Sequence, residues 1–239
     1  MPTENVIVKE CIVYHGHGGF VIGSEMSGGV RNIHVSNCTF MGTDVGIRFK
    51  STRGRGGIVE KIYISYINMT DIPTEPIHFN LYYGGSAPLP DPEDNTARQP
   101  KRIVPPVTEE TPQFRDIHMK HIVCKGAASA AILQGLPEMN LSNVTIEDAT
   151  LEADMGMNFF DCDGIQLTDV FVKLTKGPIL AFNNSKNLQI ERFSYEKEGE
   201  KSILVKGSQI ANIRLKEVAF TVENLVFYEL ADKDEVVFE

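Results

Sequence analysis

Apolar and polar residues alternate in short runs along this chain, and one such run recurs eight times. Each copy opens with a polar residue or glycine, called the anchor here. Apolar residues follow one and three positions later, and a further apolar or small residue follows at the sixth. Alternation with a period of two predicts a β-strand with one buried face. The copies are NVIVKEC (5–11), NIHVSNC (32–38), KIYISYI (61–67), DIHMKHI (116–122), NVTIEDA (143–149), GIQLTDV (164–170), NLQIERF (187–193) and NIRLKEV (212–218).

The spacing of the anchors indicates how these strands are arranged. Successive anchors lie 21 to 29 residues apart, except for one step of 55 residues that is about two periods long. Such a period without a helical pattern indicates a β-solenoid, whose coils bury their apolar faces only by stacking. We therefore predict an all-β fold: a right-handed parallel β-helix with three sheets and about eight coils, forming a single domain over residues 1–239.

An antiparallel sandwich is the competing fold. It would show hairpin signals such as Asn-Gly or Asp-Gly between paired runs, and the chain has one Asp-Gly, at Asp163-Gly164. The asparagine anchors suit tight turns between the strands, because Asn tolerates the left-handed conformation. The same register predicts that Cys11 and Cys38, each six positions after an anchor, are stacked core residues.

One segment, residues 84–113, interrupts the repeat. It holds seven of the twelve prolines. Insertions of this length are often functional, and on a solenoid they project from one face, often beside a binding groove. We therefore expect a long loop here.

Composition and charge narrow the range of partners. A chain of 239 residues with 42% hydrophobic residues is long and apolar enough to bury a core. Its net charge of −9 argues against nucleic acid and anionic membrane as partners. No apolar run approaches the ~20 residues that span a bilayer, and MPTENVIVKE (1–10) lacks the pattern of a signal peptide. One local basic cluster, RFKSTRGR (48–55), leaves room for an acidic ligand.

The stretch YHGHGGFVIGSE (14–25) carries His15 and His17 among glycines. A metal site would need a third ligand, and no residue of suitable type lies nearby in the sequence. The stretch also lacks the Gly-Lys-Ser/Thr ending of a phosphate-binding loop, and the four cysteines form no Cys-x-x-Cys pair. We expect neither a metal nor a cofactor.

His17 and Arg48 lie 31 positions apart, slightly more than one coil. Stacked coils rise by ~4.8 Å, so these two residues are expected on neighbouring coils. On a strand, Arg48 and Lys50 share the outer face while Phe49 points inward. Two cations side by side suit a planar carboxylate. For Arg53 and Arg55 in RFKSTRGR, the sequence leaves groove lining and solvated loop equally open.

A β-helix with Gly-His-Gly followed one coil later by Arg-x-Lys resembles glycoside hydrolase family 28, the polygalacturonases and related pectin-cleaving enzymes. The family's Arg-Ile-Lys appears here as Arg48-Phe49-Lys50. The wider stretches GHGGFVIGSEMSGGVRNI, GTDVGIRFKSTRGRGG and FNLYYGG look like the bacterial exo-acting branch, and the resemblance covers essentially the whole chain.

This resemblance implies a glycosidase that hydrolyses α-1,4-galacturonosyl bonds in an acidic polysaccharide or oligogalacturonide. By resemblance, His17 supports the catalytic carboxylates, and Arg48 and Lys50 bind the galacturonate carboxylate. A tyrosine of FNLYYGG lies in the sugar subsite, with Tyr83 preferred to Tyr82. Intact family members are expected in the periplasm or outside the cell, whereas no location is predicted for this chain.

The chain also departs from the family pattern. Family members carry an Asn-Thr-Asp motif and an Asp-Asp pair upstream of Gly-His-Gly, and neither occurs in these 239 residues. These motifs supply the two carboxyl groups, ~6.5–9.5 Å apart, that inverting hydrolysis requires. Asp44 is expected to be a turn residue, and Asp161 and Asp163 lie several coils from His17. We therefore expect the chain to match the C-terminal portion of such an enzyme, with little or no hydrolysis of its own.

Three alternatives remain open at this point. The chain could bind acidic sugars without cleaving them, or serve a purely structural role. A pectate-lyase-like enzyme would need calcium held by clustered acids, and no acidic cluster is in register with Arg48. An open first coil, with apolar residues around Val6, Val8 and Cys11, further predicts self-association through that end.

Overall fold

The chain folds into stacked parallel strands. The computed structural model describes residues 1–83, 104–197, 202–218 and 226–239. Every strand pair within these residues is parallel, which excludes the antiparallel sandwich. Of the expected insertion, residues 84–103 lie outside the described part, residues 104–112 form no strand, and residue 113 begins the next strand.

The strands form two hydrogen-bonded sheets. The larger sheet contains, in spatial order, β1 (Thr3–Lys9), β4 (Val30–Met41), β6 (Ile58–Ile72), β8 (Gln113–Ala127), β10 (Leu141–Ala153), β12 (Cys162–Leu174), β14 (Lys186–Glu191), β17 (Ala211–Lys216) and β19 (Val236–Phe238), with β2 (Ile12–Tyr14) beside β4 and β15 (Ser194–Lys197) beside β12. The smaller sheet contains β3 (Phe20–Ile22), β5 (Ile47–Lys50), β7 (Ile77–Asn80), β9 (Ser129–Gln134), β11 (Met155–Phe160), β13 (Leu180–Asn183), β16 (Ile203–Lys206) and β18 (Val226–Glu229). A 3-10 turn, Lys233–Glu235, precedes β19.

All eight anchors of the repeat adopt the left-handed conformation, with φ between 50° at Asn143 and 74° at Gly164. They bend long, continuous strands, whereas the sequence predicted turns between separate strands. Neighbouring anchors also bond to each other: Nδ2 of Asn32 donates to Oδ1 of Asn5 at 2.6 Å, and Nδ2 of Asn143 donates to Oδ1 of Asp116 at 2.6 Å. Asn and Asp suit this row because their short polar side chains tolerate positive φ.

A second row of left-handed residues, five positions after the first, bends the larger sheet again, for example at Asn37 and Asp148. The bends join two faces of the helix into one hydrogen-bonded sheet. The prediction of three separate sheets was therefore wrong, since the structure contains two within its described residues. The right-handed parallel β-helix of about eight coils is confirmed.

The predicted register is confirmed at each step of the stack. Val6 pairs with Ile33, Ile62 pairs with Ile117 across the 55-residue step, and the later copies continue in the same way. The core lies between the two sheets and includes a ring stack of Phe49 on Phe79, whose centroids are 4.4 Å apart. Burying apolar side chains in this way is the main stabilising contribution to such a fold.

The two cysteines of the first coils differ in burial. Cys38 is 1% exposed and lies in the core as predicted, whereas Cys11, in register beside it, is exposed. The prediction for Cys11 was therefore wrong in burial, because β1 and β2 form the outermost strands of the stack in the described chain. No helix in the described ranges is long and apolar enough to cross a bilayer.

Candidate functional site

The candidate site begins at two stacked turns that lead into the smaller sheet. The first turn joins β2 to β3 and carries His17; the second joins β4 to β5 and carries Asp44. The backbone N–H of Asp44 donates to the carbonyl of Gly16 at 2.9 Å, which places the turns in register. His17 and Asp44 are 27 positions apart, the same interval that separates Asn5 from Asn32.

The glycines of the first turn serve packing. A Cβ on Gly18 would meet Cγ2 of Val21 at 2.4 Å, and one on Gly19 would meet the ring of Phe40 at 2.3 Å. Glycines in a turn can let a bulky ligand approach the backbone. The space beside both glycines is instead filled by side chains of the chain itself, so they let the turn lie close to the core.

His17 has a partner at each ring nitrogen. Nδ1 lies 2.7 Å from Oδ2 of Asp44, and Nε2 lies 2.7 Å from Nη1 of Arg48. A guanidinium group can only donate, so Nε2 is the acceptor, and Nδ1 carries the proton that is donated to Asp44. Asp44 therefore fixes the tautomer of a neutral His17, and His17 in turn orients Arg48. Sequence reasoning missed this role of Asp44, although its one-coil interval from His17 was a usable signal.

Arg48 and Lys50 share one face of β5, as the alternation predicted. Phe49 between them is fully buried, while both cations are half-buried. The ring of Tyr83 lies beside this pair, with Nζ of Lys50 4.5 Å and Cζ of Arg48 5.7 Å from its centroid. The ring of Tyr82 lies instead 5.1 Å from Cζ of Arg53. The structure thus places Tyr83, rather than Tyr82, next to the two cations.

Within the part of the chain that the structure describes, no carboxylate neutralises the charge of Arg48. Within the described residues, every other arginine forms an ion pair with Asp or Glu, namely Arg31, Arg53, Arg55, Arg115, Arg192 and Arg214. Lys50 likewise has no acidic partner in this part of the chain, whereas the other half-buried lysines, Lys186 and Lys206, pair with Asp163 and Glu229. Two adjacent cations without counter-charge, beside an aromatic ring, form a site suited to an anion.

The two arginines that the sequence left open are both held by ion pairs. Arg55 Nη1 donates to Glu25 at 2.7 Å and keeps the pKa of that carboxyl below its usual value. Arg53 forms a bidentate pair with Glu138, with N···O distances of 2.5 and 2.8 Å, and this raises the pKa of Arg53. Neither arginine is a free cation lining a groove.

On the other side of Arg48, β7 carries a second histidine. His78 is the strand partner of Arg48, and its Nδ1 lies 3.0 Å from Oε2 of Glu75, with both side chains largely buried. Arg48 thus lies between two coils that each present a histidine beside a carboxylate. The pair Glu75 and His78 was not identified from the sequence.

Asp161 and Asp163 lie far from this site along the stack. Asp163 begins the anchor bend of β12, where its Oδ1 accepts from Nδ2 of Asn187 at 2.7 Å. Within the part of the chain that the structure describes, no group of three His, Cys, Asp or Glu side chains is arranged to hold a metal ion. The chemistry offered here is recognition of an anion by Arg48 and Lys50.

Comparison with known proteins shows a similarity over the part of the chain that holds this site. Residues 2–97, which include both stacked turns and β5, match the family model described as glycosyl hydrolases family 28. The N-terminal two fifths of the chain are therefore similar to this family.

Curated proteins similar to this chain are polygalacturonases. It is 27% identical over 171 residues to a probable polygalacturonase of Vitis vinifera, covering 69% of this chain and 32% of the relative. It is 38% identical over 86 residues to a polygalacturonase of Ralstonia solanacearum, covering 34% of this chain and 16% of that one. In structure it resembles a hyperthermoactive exopolygalacturonase of Thermotoga maritima, with a TM-score of 0.53, 25% identity, and coverage of 70% of this chain and 35% of the other. The chain thus spans about a third or less of the length of these proteins.

Proposed function

We propose that this chain provides the acid-sugar subsite of a pectin-directed glycoside hydrolase of the polygalacturonase type. The observation that carries the proposal is the pair of cations Arg48 and Lys50 beside the ring of Tyr83. Neither cation has an acidic partner among the described residues. Galacturonate is a sugar acid, so it combines a carboxylate with an apolar ring face. The family and the names of its relatives support this substrate class.

In the proposed binding mode, the sugar carboxylate lies between the two cations. Arg48 uses Nη1 to donate to His17, so its remaining N–H groups are available to a carboxylate. Lys50 adds a second charge-assisted hydrogen bond, and such bonds are worth roughly 1.5–3 kcal/mol each. Tyr83 then contacts the sugar ring from the side.

His17 acts in this scheme as a positioning residue. Its neutral Nε2 accepts from Arg48, and Asp44 holds the proton on the opposite nitrogen. His17 is more than half exposed, so this arrangement faces solvent, where a bound sugar would lie. By resemblance to the family, the same histidine also supports the catalytic carboxylates of the intact enzyme.

We expect the 239 residues alone to bind oligogalacturonides without hydrolysing them. Inverting hydrolysis requires two carboxyl groups on opposite sides of the bond. Asp44 already hydrogen-bonds His17, and the Asn-Thr-Asp and Asp-Asp motifs are not among these residues. A non-catalytic binding module makes the same prediction for binding. The two functions differ only in whether carboxylates from another segment complete the centre.

The experiment is calorimetry of the chain with trigalacturonate, with a neutral trisaccharide as the control ligand. We expect binding of the acidic sugar only, and its loss in the Arg48→Ala/Lys50→Ala double variant.

The chain offers a matched control for that variant. Arg214 and Lys216 on β17 have the same Arg-x-Lys spacing, but they pair with Glu239 and Glu191. Arg214→Ala/Lys216→Ala therefore removes the same two charges and should leave binding unchanged. Equal loss in both double variants, or no binding by the wild-type chain, would refute the subsite. Release of galacturonate by the chain would refute the expectation of inactivity.

A further inference from the structure

The turn between β5 and β6, residues 51–57, is tied to two other levels of the stack. Arg55 donates a hydrogen bond to Glu25 on the first coil. The side chain of Glu25 is largely exposed to solvent. Arg53 reaches forward to Glu138, in the loop between β9 and β10, whose side chain is 2% exposed. A carboxylate buried to that extent needs a full partner, because an unpaired buried charge is strongly unfavourable. The pair of Arg53 and Glu138 therefore holds the turn at one place.

The segment of Tyr82 and Tyr83 passes between these two levels. It follows β7, and so belongs to the coil between Arg53 and Glu138. The guanidinium of Arg53 lies 5.1 Å from the centre of the Tyr82 ring. The backbone N–H of Tyr83 donates to the carbonyl of Ser51 at 2.9 Å. The ion pair thus joins the coils on either side of the two tyrosines. Its guanidinium group contacts the ring of Tyr82.

We propose that the ion pair of Arg53 and Glu138 positions Tyr83 in the acid-sugar subsite by holding Tyr82 beneath the guanidinium. The inference rests on the proposed function, since the subsite consists of Arg48, Lys50 and Tyr83. Tyr82 and Tyr83 are consecutive in the turn after β7, and the backbone N–H of Tyr83 is bonded to Ser51, so holding the Tyr82 ring limits the directions open to its neighbour. Arg53 acts through Tyr83 and does not contact the sugar.

The chemistry of Arg53 suits this role better than a lysine would. A guanidinium binds both oxygens of a carboxylate in one plane and stacks on an aromatic face at the same time. With both oxygens of Glu138 occupied in this way, the charge of Arg53 is neutralised and does not compete with Arg48 and Lys50 for the ligand. Arg53→Lys keeps the charge but loses the bidentate hydrogen bonding to Glu138 and the contact of the guanidinium with the Tyr82 ring.

The test measures the affinity for trigalacturonate and the environment of Tyr83 in the same variants. Arg53→Lys and Glu138→Gln are each expected to weaken binding of trigalacturonate about tenfold, because Tyr83 would no longer be oriented. A tenfold change in affinity corresponds to about 1.4 kcal/mol of binding free energy. In chain labelled with 3-fluorotyrosine, both variants should shift the ¹⁹F resonance of Tyr83, which is assigned with Tyr83→Phe. The matched control is Arg55→Lys, in the same turn, which should change neither measurement.

A double-variant cycle separates positioning from direct contact. If Arg53 acts through Tyr83, Arg53→Lys has no further effect on affinity in a Tyr83→Ala background. An equal loss in both backgrounds would overturn the inference, because Arg53 would then contact the ligand. Tighter binding by Glu138→Gln would also overturn it, since the freed Arg53 would then act as a third cation.

Failure of this inference can be told apart from failure of the proposed function. If the wild-type chain binds no acidic sugar, the subsite itself is refuted, and the ¹⁹F shift of Tyr83 still tests the positioning. If Glu138→Gln does not fold, Arg53→Lys carries the test, because it leaves a cation beside the buried carboxylate. The positioning role would be refuted if Arg53→Lys, like the control Arg55→Lys, left the ¹⁹F resonance of Tyr83 unchanged.

Discussion

Nε2 of His17 lies 2.7 Å from Nη1 of Arg48, although the two residues are 31 positions apart. The contact joins the first coil to the second, and Asp44 completes it from the other side of the imidazole ring. Arg48, the cation that we propose binds the ligand, is therefore held by a neutral histidine whose tautomer a carboxylate fixes.

This relationship predicts a graded loss of ligand affinity. His17→Ala should weaken trigalacturonate binding about tenfold, because Arg48 loses the acceptor that orients it, a change near 1.4 kcal/mol. Asp44→Asn should have a smaller effect than Asp44→Ala, because the amide oxygen still accepts from Nδ1 of His17. Calorimetry at one pH and salt concentration measures the affinity of each variant for trigalacturonate and checks this order of affinities. His34→Ala, a histidine on the outer face of the larger sheet, is the control and should bind normally.

The anchor row predicts an unusual order of stability at Asn143. Its φ is 50°, and its Nδ2 donates to Asp116 at 2.6 Å. Asn143→Ala loses the hydrogen bond and replaces a residue that tolerates the left-handed region by one that tolerates it less well, together costing about 2 kcal/mol. Asn143→Gly loses the bond but tolerates the backbone, so it should be the more stable variant of the two. Urea unfolding measures both, with Glu152→Ala on the same strand as a neutral control; Ala more stable than Gly would contradict the prediction.

The cysteines should differ sharply in reactivity. Burial raises the pKa of the Cys124 thiol to about 12 and also raises the pKa values of Cys38 and Cys162, so these thiols stay protonated near neutral pH. Cys11 is exposed. An aromatic disulfide reagent at pH 8 should therefore modify one thiol in the native chain and four after denaturation. Cys11→Ser should abolish the native reaction, and rapid modification of a second thiol would show that the core is open.

The first coil predicts self-association of the 239-residue chain. Strands β1 and β3 lie at the ends of their sheets, and Ile7, Ile12 and Tyr14 are exposed on or beside that edge. Unpaired strand edges with apolar side chains favour pairing with another chain. Light scattering after gel filtration should show a concentration-dependent dimer or larger species. Ile7→Lys/Ile12→Lys should shift it towards monomer, and a wild-type chain that is monomeric at all concentrations would refute the prediction.

The repeat could be predicted because its cause is local. Alternation at positions one, three and six after an anchor specifies which side chains point inward, and this placed Ile62 beside Ile117 even across the 55-residue step. The inward position of Phe49, between two outward cations, followed from the same alternation. The anchors were found by the same pattern, although they bend continuous strands where separate strands had been expected.

The sequence also predicted that His17 and Arg48 lie on neighbouring coils. It did not predict the ion pairs of the candidate site. A coil interval brought His17 near Arg48, since the two residues follow successive copies of one repeat. The same interval could have identified Asp44, yet an aspartate between strands is usually only a turn residue. No interval relates Arg53 to Glu138, which are 85 positions apart and two levels distant.

What the sequence by itself determined was the coil, the register and the residue types at the site, because solenoid stacking repeats one local pattern. What only the tertiary structure decided was which charges neutralise each other. Ion pairing depends on the reach of long side chains across coils of unequal length, and no periodic rule describes it. That difference leaves Arg48 as the one arginine among the described residues without a carboxylate partner, while Arg53, five positions later, is fully paired.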